Sequence, residues 1–257
     1  MQLDDVVISR AIVEDFTREF LGSLETQVAI AGAGPSGLTA GLYLAKRKVK
    51  TVIFEKNLKV GGGMPGGGMM FNRIVVQTPA TGILDEVGVK YKKYKEGYYL
   101  ANSLETVAAL TQQVIRKGVK IFNLISIEDA MIKNKKVCGL VINWETILST
   151  RLPVDPLTMR CQAVIDATGH DCAVVKKLQQ RDEIRLDTPT GKILGEGPMW
   201  AEKGENAVLE NTREVYPGLY VSGMAANAVY GAPRMGPIFG GMLLSGKRVA
   251  ELVLKDL

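Results

Sequence analysis

The clearest sign of a ligand-binding site in the sequence is the pattern G-x-G-x-x-G, formed by Gly32, Gly34 and Gly37. They follow a short apolar run at 27–31 and open a helical pattern, which is the strand, turn and helix order of a dinucleotide-binding motif. The first glycine permits the tight turn, the second lets the backbone approach a pyrophosphate, and the third allows close helix packing. The motif therefore predicts a diphosphate at the N-terminus of the helix.

Glu55 ends the predicted second strand at 51–54 and supplies the acid that such a motif requires. It lies 21 residues beyond Gly34, near the separation of about 20 at which an acid meets the ribose 2′-hydroxyl in NAD sites. A glycine turn without a ligand is the alternative, but strand, helix, second strand and acid arrive in order. Glu55 would repel a 2′-phosphate, so we expect NAD to be preferred to NADP, an expectation that Lys56 weakens.

A second glycine-rich stretch, GGGMPGGG at 61–68, follows the strand that carries Glu55. It is too rich in glycine for regular structure, and its bare backbone amides could wrap a cofactor or substrate. A flexible surface loop is the other interpretation. Its position at the predicted carboxyl edge of the sheet, where such folds bind ligands, favours a ligand loop.

Length and composition indicate an ordinary globular α/β protein. The chain has 257 residues, of which 46% are hydrophobic and 23% charged. Its 28 glycines make up about 11% of the chain, against a usual share of about 7%. We expect one domain over 1–257 with a smaller β-rich lobe inserted at about 72–160. No run of 18 uncharged apolar residues occurs and the first residues are acidic and mixed, so the sequence predicts a cytoplasmic protein without a signal or membrane span.

Three cysteines, Cys138, Cys161 and Cys172, have no C-x-x-C spacing. Two of them lie in strand-like apolar runs, and an odd number cannot pair completely within one chain. The sequence therefore predicts reduced thiols in a cytosolic core.

The formal net charge is +5, and its basic clusters are scattered over 46–50, 91–95 and 133–136. A nucleic-acid patch is one interpretation. The scatter over helix ends and turns favours a solvated face that also suits anionic small ligands, so we expect no nucleic-acid partner.

An amphipathic helix is predicted before the first strand, at 4–22, with acids in its first turn and Gly22 as its stop. Such a helix covers part of its own sheet or contacts another subunit. Five apolar residues share its predicted buried face: Val7, Ile8, Ile12, Phe16 and Phe20.

The middle of the chain is expected to be a smaller, mixed region. Ser103 is predicted to cap a helix that runs to Lys117, and a hairpin is predicted around Asn134. The two prolines of 144–157, Pro153 and Pro156, predict an irregular segment there.

The last third of the chain is expected to return to the N-terminal sheet. A buried strand is predicted at 161–166, followed by a short helix and an uninformative polar region up to Tyr216. A turn at Pro217 leads into a final core strand that ends in Gly223-Met224. The last predicted helix, 238–254, carries three glycines suited to close approach to the first strand-helix unit: Gly240, Gly241 and Gly246.

Together these motifs resemble the Rossmann-like, flavoprotein-type two-dinucleotide-binding fold. The resemblance rests on GAGPSG, the acid Glu55, the glycine-rich loop, the ATG turn at 167–169 and the late PGLYVSG strand. FAD-binding members usually end the last motif in Gly-Asp, whose acid meets the flavin's ribityl chain, whereas this chain has Gly223-Met224. The departure weakens the flavin interpretation.

Five runs resemble the Thi4 thiazole synthases more closely: GGGMPGGGMMF, VDPLT, ATGHD, PGLYVSGMA and GAPRMGPIFGGM. The resemblance implies a pentosyltransferase-class enzyme that makes the thiazole precursor of thiamine and consumes NAD as a substrate. Nicotinamide leaves, the sugar opens to a ketose, glycine condenses as an imine, sulfur enters and the ring closes to an ADP-thiazole carboxylate. A homo-oligomer, an octamer, is implied.

The same resemblance implies the roles of individual residues. Arg234 is placed to pair with the carboxylate of glycine, for which a planar guanidinium is suited. Asp155 and His170, the chain's single histidine, match the catalytic Fe(II) ligands, which adjacent subunits supply. Positions that match the family's dinucleotide contacts are Ser36, Glu55, Lys56, Gly63, Ile127, Val154, Asp155 and Met224.

Pro153 departs from the family pattern. Members that sacrifice a cysteine as sulfur donor carry it two residues before the Asp of the D-P pair, and members that use free sulfide usually have histidine there. Proline can neither donate sulfur nor bind a metal. The sequence therefore predicts a sulfide-dependent enzyme.

Two other functions are compatible with the motifs. An FAD- or NAD-dependent oxidoreductase would use the same sheet and fingerprint for hydride transfer. A non-enzymatic nucleotide-binding protein would bind NAD without releasing nicotinamide, and Asp155, His170 and Arg234 would then be ordinary polar residues.

Overall fold

A six-stranded sheet forms the centre of the protein in the computed structural model, which describes residues 3–257. Met1 and Gln2 of the predicted domain range lie outside the described residues. With elements numbered along the chain, the strands lie side by side in the order β11 (Arg213–Tyr216), β12 (Leu219–Val221), β10 (Ala163–Asp166), β1 (Val28–Ala31), β2 (Thr51–Glu55) and β6 (Lys120–Asn123). Only β11 runs antiparallel to its neighbour, so the sheet is that of a doubly wound α/β fold.

Helices cover the sheet, and their bounds are α1 (Asp5–Ser23), α2 (Pro35–Lys46), α3 (Thr81–Val87), α4 (Ser103–Arg116), α5 (Glu145–Thr150), α6 (Ala173–Gln179), α7 (Ala201–Asn211), α8 (Met224–Tyr230) and α9 (Gly240–Asp256). Alternate residues of β1 point to opposite faces. Val28 and Ile30 join a core with α2, α4 and α9, and Ala29 and Ala31 join a second core with α6 and α8. The central strands are therefore buried on both faces.

Two small three-stranded sheets lie within the span predicted for one inserted lobe, 72–160. The first has the order β3 (Arg73–Val76), β5 (Tyr98–Asn102), β4 (Tyr91–Lys95), and the second has the order β7 (Ile125–Lys133), β8 (Lys136–Trp144), β9 (Leu157–Arg160). Between them the chain returns to the main fold as α4 and β6. The predicted hairpin joins β7 to β8 through Asn134 and Lys135, both in the left-handed region (φ 51° and 61°), which suits a two-residue turn.

The predicted amphipathic helix is present as α1, but only its C-terminal part covers the sheet. Phe16 and Phe20 pack edge-on against Phe122 of β6, with ring centroids 5.7 and 5.3 Å apart. Val7 and Ile12 on the same predicted face are 64% and 66% exposed. Among residues 3–257, none of the helices combines the length and apolar character needed to cross a membrane.

Several predicted elements are wrong in detail. Asn102, not Ser103, caps α4, because its side-chain oxygen accepts hydrogen bonds from the backbone amides of Leu104 and Glu105. Residues 144–157, predicted to be irregular, contain α5 and the start of β9, since the prolines that break the pattern come only after α5. Helices α7 and α8 occur where the sequence predicted no helix, and β10 begins two residues later than predicted.

Close packing of α9 on α2 depends on one of the three predicted glycines. A Cβ at Gly246 would overlap the backbone carbonyl oxygen of Ser36. Gly240 approaches Gln77, and Gly241 approaches Glu205. The prediction that these two glycines contact the first strand-helix unit is therefore wrong. The α2–α9 contact fixes the N-terminal turn of α2 beside the end of β12.

Candidate active site

A cleft of about 790 Å³ opens at the carboxyl edge of the main sheet. Its walls come from the turns that follow β1, β2, β10 and β12, where parallel strands of this fold class bind ligands. Most of the predicted site residues line it: Gly32, Gly34, Ser36, Glu55, Lys56, Gly63, Ile127, His170, Met224 and Arg234. Gly37, Val154 and Asp155 do not.

The glycine turn is built for close backbone approach. Gly32 has φ 98°, and a Cβ there would lie 2.5 Å from the carbonyl oxygen of Ala167. Gly34 is the N-cap of α2 and has open space beside it. A Cβ at Gly37 would overlap the Gly32 carbonyl oxygen, so this third glycine serves packing and not the cleft wall. The free amides and dipole of the α2 N-terminus therefore face the cleft, as an anion requires.

Glu55 fastens this turn to the end of β2. Its carboxylate accepts hydrogen bonds from the Ala33 amide (2.9 Å) and from the backbone and side-chain amides of Asn57 (both 2.8 Å). The residue is only 4% exposed. A carboxylate has about four acceptor positions, so roughly one remains for a ligand hydroxyl.

Lys56 forms an ion pair with Asp171 across the cleft, at 2.6 Å between Nζ and Oδ2. The hydrogen bond to Asp171 raises the pKa of the Lys56 ammonium, and the same bond lowers the pKa of the Asp171 carboxyl. The pair links the end of β2 to the turn after β10. The charge of Lys56, which weakened the expected preference for NAD over NADP, is therefore paired with a carboxylate.

The glycine-rich loop is anchored at its start and in its middle. The Gly61 amide donates to the Ala33 carbonyl at 2.7 Å, and a short 3₁₀ turn at Met64–Gly66 buries Met64 completely. This turn corrects the expectation that 61–68 has no regular structure. A Cβ at Gly63 would meet nothing within 4 Å, so the loop presents open backbone to the cleft.

Asp166 holds the turn that carries the single histidine. Its fully buried carboxylate accepts hydrogen bonds from the Thr168 amide and hydroxyl and from the amides of Val174 and Val175, at 2.7–3.0 Å. Burial raises the pKa of the Asp166 carboxyl, and these donors oppose the shift. The sequence analysis missed this residue, although an acid at the end of a buried strand was a visible signal.

His170 and Arg234 share one carboxylate, that of Glu196. The His170 Nδ1 lies 2.5 Å from Glu196 Oε1, and the Arg234 Nε lies 3.9 Å from Glu196 Oε2. Glu196 belongs to the polar region from which sequence reasoning predicted nothing, and the only signal was an acid between two glycines. Hereafter the polar end of the cleft means His170 and Arg234 backed by Glu196, and the dinucleotide end means Gly32, Gly34, Ser36, Glu55 and Gly63.

Comparison with known proteins assigns the family. The model of the Thi4 family matches residues 9–239, well over half of the chain. The protein belongs to the Thi4 family. The thiamine thiazole synthase of Methanothermobacter thermautotrophicus is 57% identical over 257 residues, the full length of both chains, and that of Pyrococcus horikoshii is 53% identical over 99% of each.

Solved structures agree with the fold. THI4 from Thermovibrio ammonificans is 50% identical, covers 99% of each chain and superposes with a TM-score of 0.97. A geranylgeranyl bacteriochlorophyll reductase-like protein from Thermoplasma acidophilum is 15% identical, with a TM-score of 0.53 over 90% of this chain and 78% of its own. The Rossmann-like, flavoprotein-type fold is therefore confirmed.

Asp155, the second iron ligand implied by the Thi4 pattern, does not line the cleft that His170 lines. Val154 and Asp155 are exposed, and the Val154 carbonyl accepts from Asn143 on β8 at 3.1 Å. Across residues 3–257, no three His, Cys, Asp or Glu side chains are grouped so that they could hold a metal ion.

The three thiols of the protein all lie outside the cleft lining. Cys161 and Cys172 are buried, and burial raises the pKa of each thiol to about 12. Cys138, half-buried in β8, lies 3.5 Å from the Met131 carbonyl oxygen. At neutral pH, Cys161 and Cys172 are protonated and enclosed.

Apolar and polar side chains that the sequence did not predict complete the lining. Leu148 and Glu145 of α5 face the Ile127 side, and the Ser126 hydroxyl donates to the Glu145 carboxylate. At the other side the cleft has several methionines: Met69, Met199, Met224, Met235 and Met242. Met224 opens α8 at the position where FAD-binding proteins usually have an acid.

Proposed function

We propose that the protein is a thiamine thiazole synthase that converts NAD, glycine and sulfide to an ADP-thiazole carboxylate with release of nicotinamide. The observation that carries the proposal is that one cleft is lined both by a dinucleotide-binding turn and by His170 and Arg234, whose side chains share the Glu196 carboxylate. Full-length similarity to proteins named thiamine thiazole synthase supports it.

The dinucleotide end has the features that NAD requires. The α2 N-terminus offers amides and a positive dipole to the pyrophosphate, and Glu55 retains one acceptor position for a ribose hydroxyl. Ser36 and Gly63 lie beside them on the wall. These residues bind and orient the dinucleotide so that the nicotinamide ribose extends toward the polar end.

At the polar end, Arg234 is assigned to the carboxylate of glycine. Its Nε lies 3.9 Å from Glu196 Oε2, too far for a hydrogen bond, so the planar guanidinium keeps its donors for a bidentate pair. Arg234 therefore orients the amino group of glycine toward the opened sugar.

The donor set fits Fe(II) when two copies of the chain are combined. His170 has its Nδ1 engaged by Glu196, so Nε2 is the ring nitrogen that can bind a metal, and Asp155 is an exposed carboxylate on another face. When bound, Fe(II) would supply Lewis-acid chemistry and open positions for substrate. We propose a homo-oligomer in which His170 of one copy meets the partner's carboxylate at position 155.

Free sulfide is the proposed sulfur source. Pro153 occupies the position where a donor cysteine would stand, and the three thiols of the chain lie outside the cleft lining. The Cys172 thiol, close in sequence to His170, is buried and protonated at neutral pH. No thiol is therefore placed to attack the sugar.

An oxidoreductase is the alternative function, and Met224 argues against a flavin version of it. A thioether sulfur is only a weak, uncharged acceptor and is a poor replacement for the acid that at this position accepts hydrogen bonds from a ribityl chain. Mass spectrometry of the copurifying ligand separates the possibilities: an ADP-thiazole supports the proposal, and FAD contradicts it.

The decisive experiment supplies NAD, glycine and Fe(II) under anaerobic conditions, with and without sulfide. We expect ADP-thiazole formation only with sulfide, many turnovers per chain and an unchanged protein mass. Product without sulfide, together with a chain lighter by one H₂S and the loss mapped to Cys172, would contradict the sulfur source. Full turnover by metal-stripped protein would contradict the iron requirement.

A further inference from the structure

Glu196 is placed between the two side chains to which the proposed function assigns the chemistry. Its Oε1 faces His170 Nδ1 at 2.5 Å and its Oε2 faces Arg234 Nε at 3.9 Å. The Glu196 side chain is 17% exposed, whereas those of His170 and Arg234 are 51% and 56% exposed. Glu196 is not part of the cleft lining, so it supports the two residues from behind.

The backbone around Glu196 is held against the segment that carries Arg234. The Gly197 amide donates to the Ala232 carbonyl (3.0 Å), the Arg234 amide donates to the Gly197 carbonyl (3.3 Å), and the Trp200 amide donates to the Arg234 carbonyl (3.0 Å). Gly195 is tied to α8 in the same way. Because these bonds fix the backbone around Glu196, less conformational entropy is lost when its carboxylate faces both His170 and Arg234.

The contact at Nδ1 decides which ring nitrogen of His170 is free. A carboxylate can only accept a hydrogen bond, so the neutral imidazole must carry its proton on Nδ1. The Nε2 lone pair is then available to a metal ion, which binds deprotonated ring nitrogen. Without this acceptor, the proton of a neutral imidazole can reside on Nε2 and block the metal position.

We propose that Glu196 is a positioning residue, which fixes His170 as the Nδ1–H tautomer and places its negative charge beside the Arg234 guanidinium. This inference rests on the proposed function, which assigns the metal-binding nitrogen to His170 and the glycine-binding guanidinium to Arg234. It adds a residue to the site that neither the sequence motifs nor the implied ligand set contains.

The ring tautomer tests the proposal directly, because His170 is the only histidine in the chain. Protein labelled with ¹⁵N-histidine and freed of metal by chelation gives one pair of ring-nitrogen signals. In alkaline solution, at pH about 9, we expect a protonated Nδ1 and an unprotonated Nε2. A wild-type ring that carries its proton on Nε2 would overturn the proposal without any variant being made.

Glu196→Gln sharpens the test, since an amide has one donor end and one acceptor end. Arg234 offers only donors, so the amide oxygen turns toward it and the amide nitrogen faces Nδ1. We expect the tautomer to reverse to Nε2–H. Glu183→Gln, which neutralises an exposed carboxylate, is the matched control and should leave the signals unchanged. An unaltered tautomer in a folded Glu196→Gln protein contradicts the proposal.

Metal affinity provides the second readout. Anaerobic titration with Fe(II) should show about 10–100-fold weaker binding to Glu196→Gln than to wild type or Glu183→Gln, the usual cost of losing a partner that orients a ligand. Equal affinities would contradict the proposed role toward the metal. Since the tautomer experiment contains no iron, NAD or glycine, a failed iron requirement would refute the proposed function and leave the Glu196–His170 result standing.

Discussion

At the dinucleotide end of the cleft, backbone atoms and buried side chains form the wall, whereas at the polar end exposed side chains form it. Gly32 and Glu55 are fixed by contacts that a single chain supplies completely. His170 and Arg234 are more than half exposed and share one carboxylate. The dinucleotide end is therefore held in place by contacts within the chain, whereas the polar end presents side chains that are open to further partners.

The largest expected effect is at the dinucleotide end, where Gly37→Ala should abolish folding or cost several kcal/mol. A Cβ at this position overlaps the Gly32 carbonyl oxygen, which is backbone and cannot rotate away. Gly82→Ala, in the first turn of α3 with nothing within 4 Å of its added Cβ, should be neutral or stabilising by up to about 1 kcal/mol. Chemical denaturation of both variants measures the difference, and a stable Gly37→Ala protein would mean that this turn is not rigid.

His170→Ala, at the polar end, and Asp155→Ala should each abolish thiazole formation while the melting temperature stays close to wild type, and His170→Ala should also keep the NAD affinity of the wild type. The loss should exceed the 10–100-fold typical of outer-shell partners of a metal ligand. Calorimetry with NAD and an anaerobic activity assay check the two halves of this expectation. Loss of NAD binding in His170→Ala would remove the distinction between the two ends.

Coexpression of the two inactive variants tests whether the site is shared. If His170 and Asp155 act across subunits, random mixing restores about a quarter of the sites, since each needs the intact residue from two different chains. Activity should therefore return to about that fraction of wild type. A coexpressed mixture with no activity would place both residues in one chain's site or exclude one of them.

A smaller effect is expected for the enclosed thiol near the polar end. The pKa of Cys172 is raised to about 12 by burial, against an ordinary value of about 9, so the folded and unfolded chains both keep the proton below pH 9. From pH 9 to 12 only the unfolded chain loses it, so the free energy of unfolding falls as the pH rises, by up to about 1.4 kcal/mol per pH unit. Cys172→Ala should show a shallower decline in urea unfolding over pH 9–11. Equal slopes would mean that the thiol is already accessible to hydroxide.

The smallest expected effect concerns dinucleotide choice. Asp171→Asn releases Lys56 from its ion pair, so the ammonium can attract a 2′-phosphate. Because both side chains are more than half exposed, we expect only a several-fold gain in NADP affinity relative to NAD, the scale of a surface ion pair. Calorimetry at one salt concentration measures the ratio. Wild-type protein that binds both dinucleotides equally would refute the preference for NAD itself.

Local pattern was sufficient for the dinucleotide end. Residues 27–55 contain, in order, a strand, the glycine turn, a helix, a second strand and the acid Glu55. Each of these features depends on neighbours close in sequence or on the parallel pairing of β1 with β2. Of the residues that the family motifs singled out, those that line the cleft include Ser36, Gly63, Ile127, His170, Met224 and Arg234. Their ligand roles stay predictions.

Tertiary structure alone decided the rest, because the partners are far apart in the chain. Glu196 meets His170 across 26 residues and Arg234 across 38, from a polar segment with neither helical nor strand periodicity. Lys56 meets Asp171 across 115 residues, a pairing that the sequence around the lysine does not indicate. Helix α1 carries an apolar stripe that predicted burial, yet only its last turns find aromatic partners on β6. Sequence spacing determines which residues share a turn or a face, but charge pairing and burial depend on which elements the fold brings together.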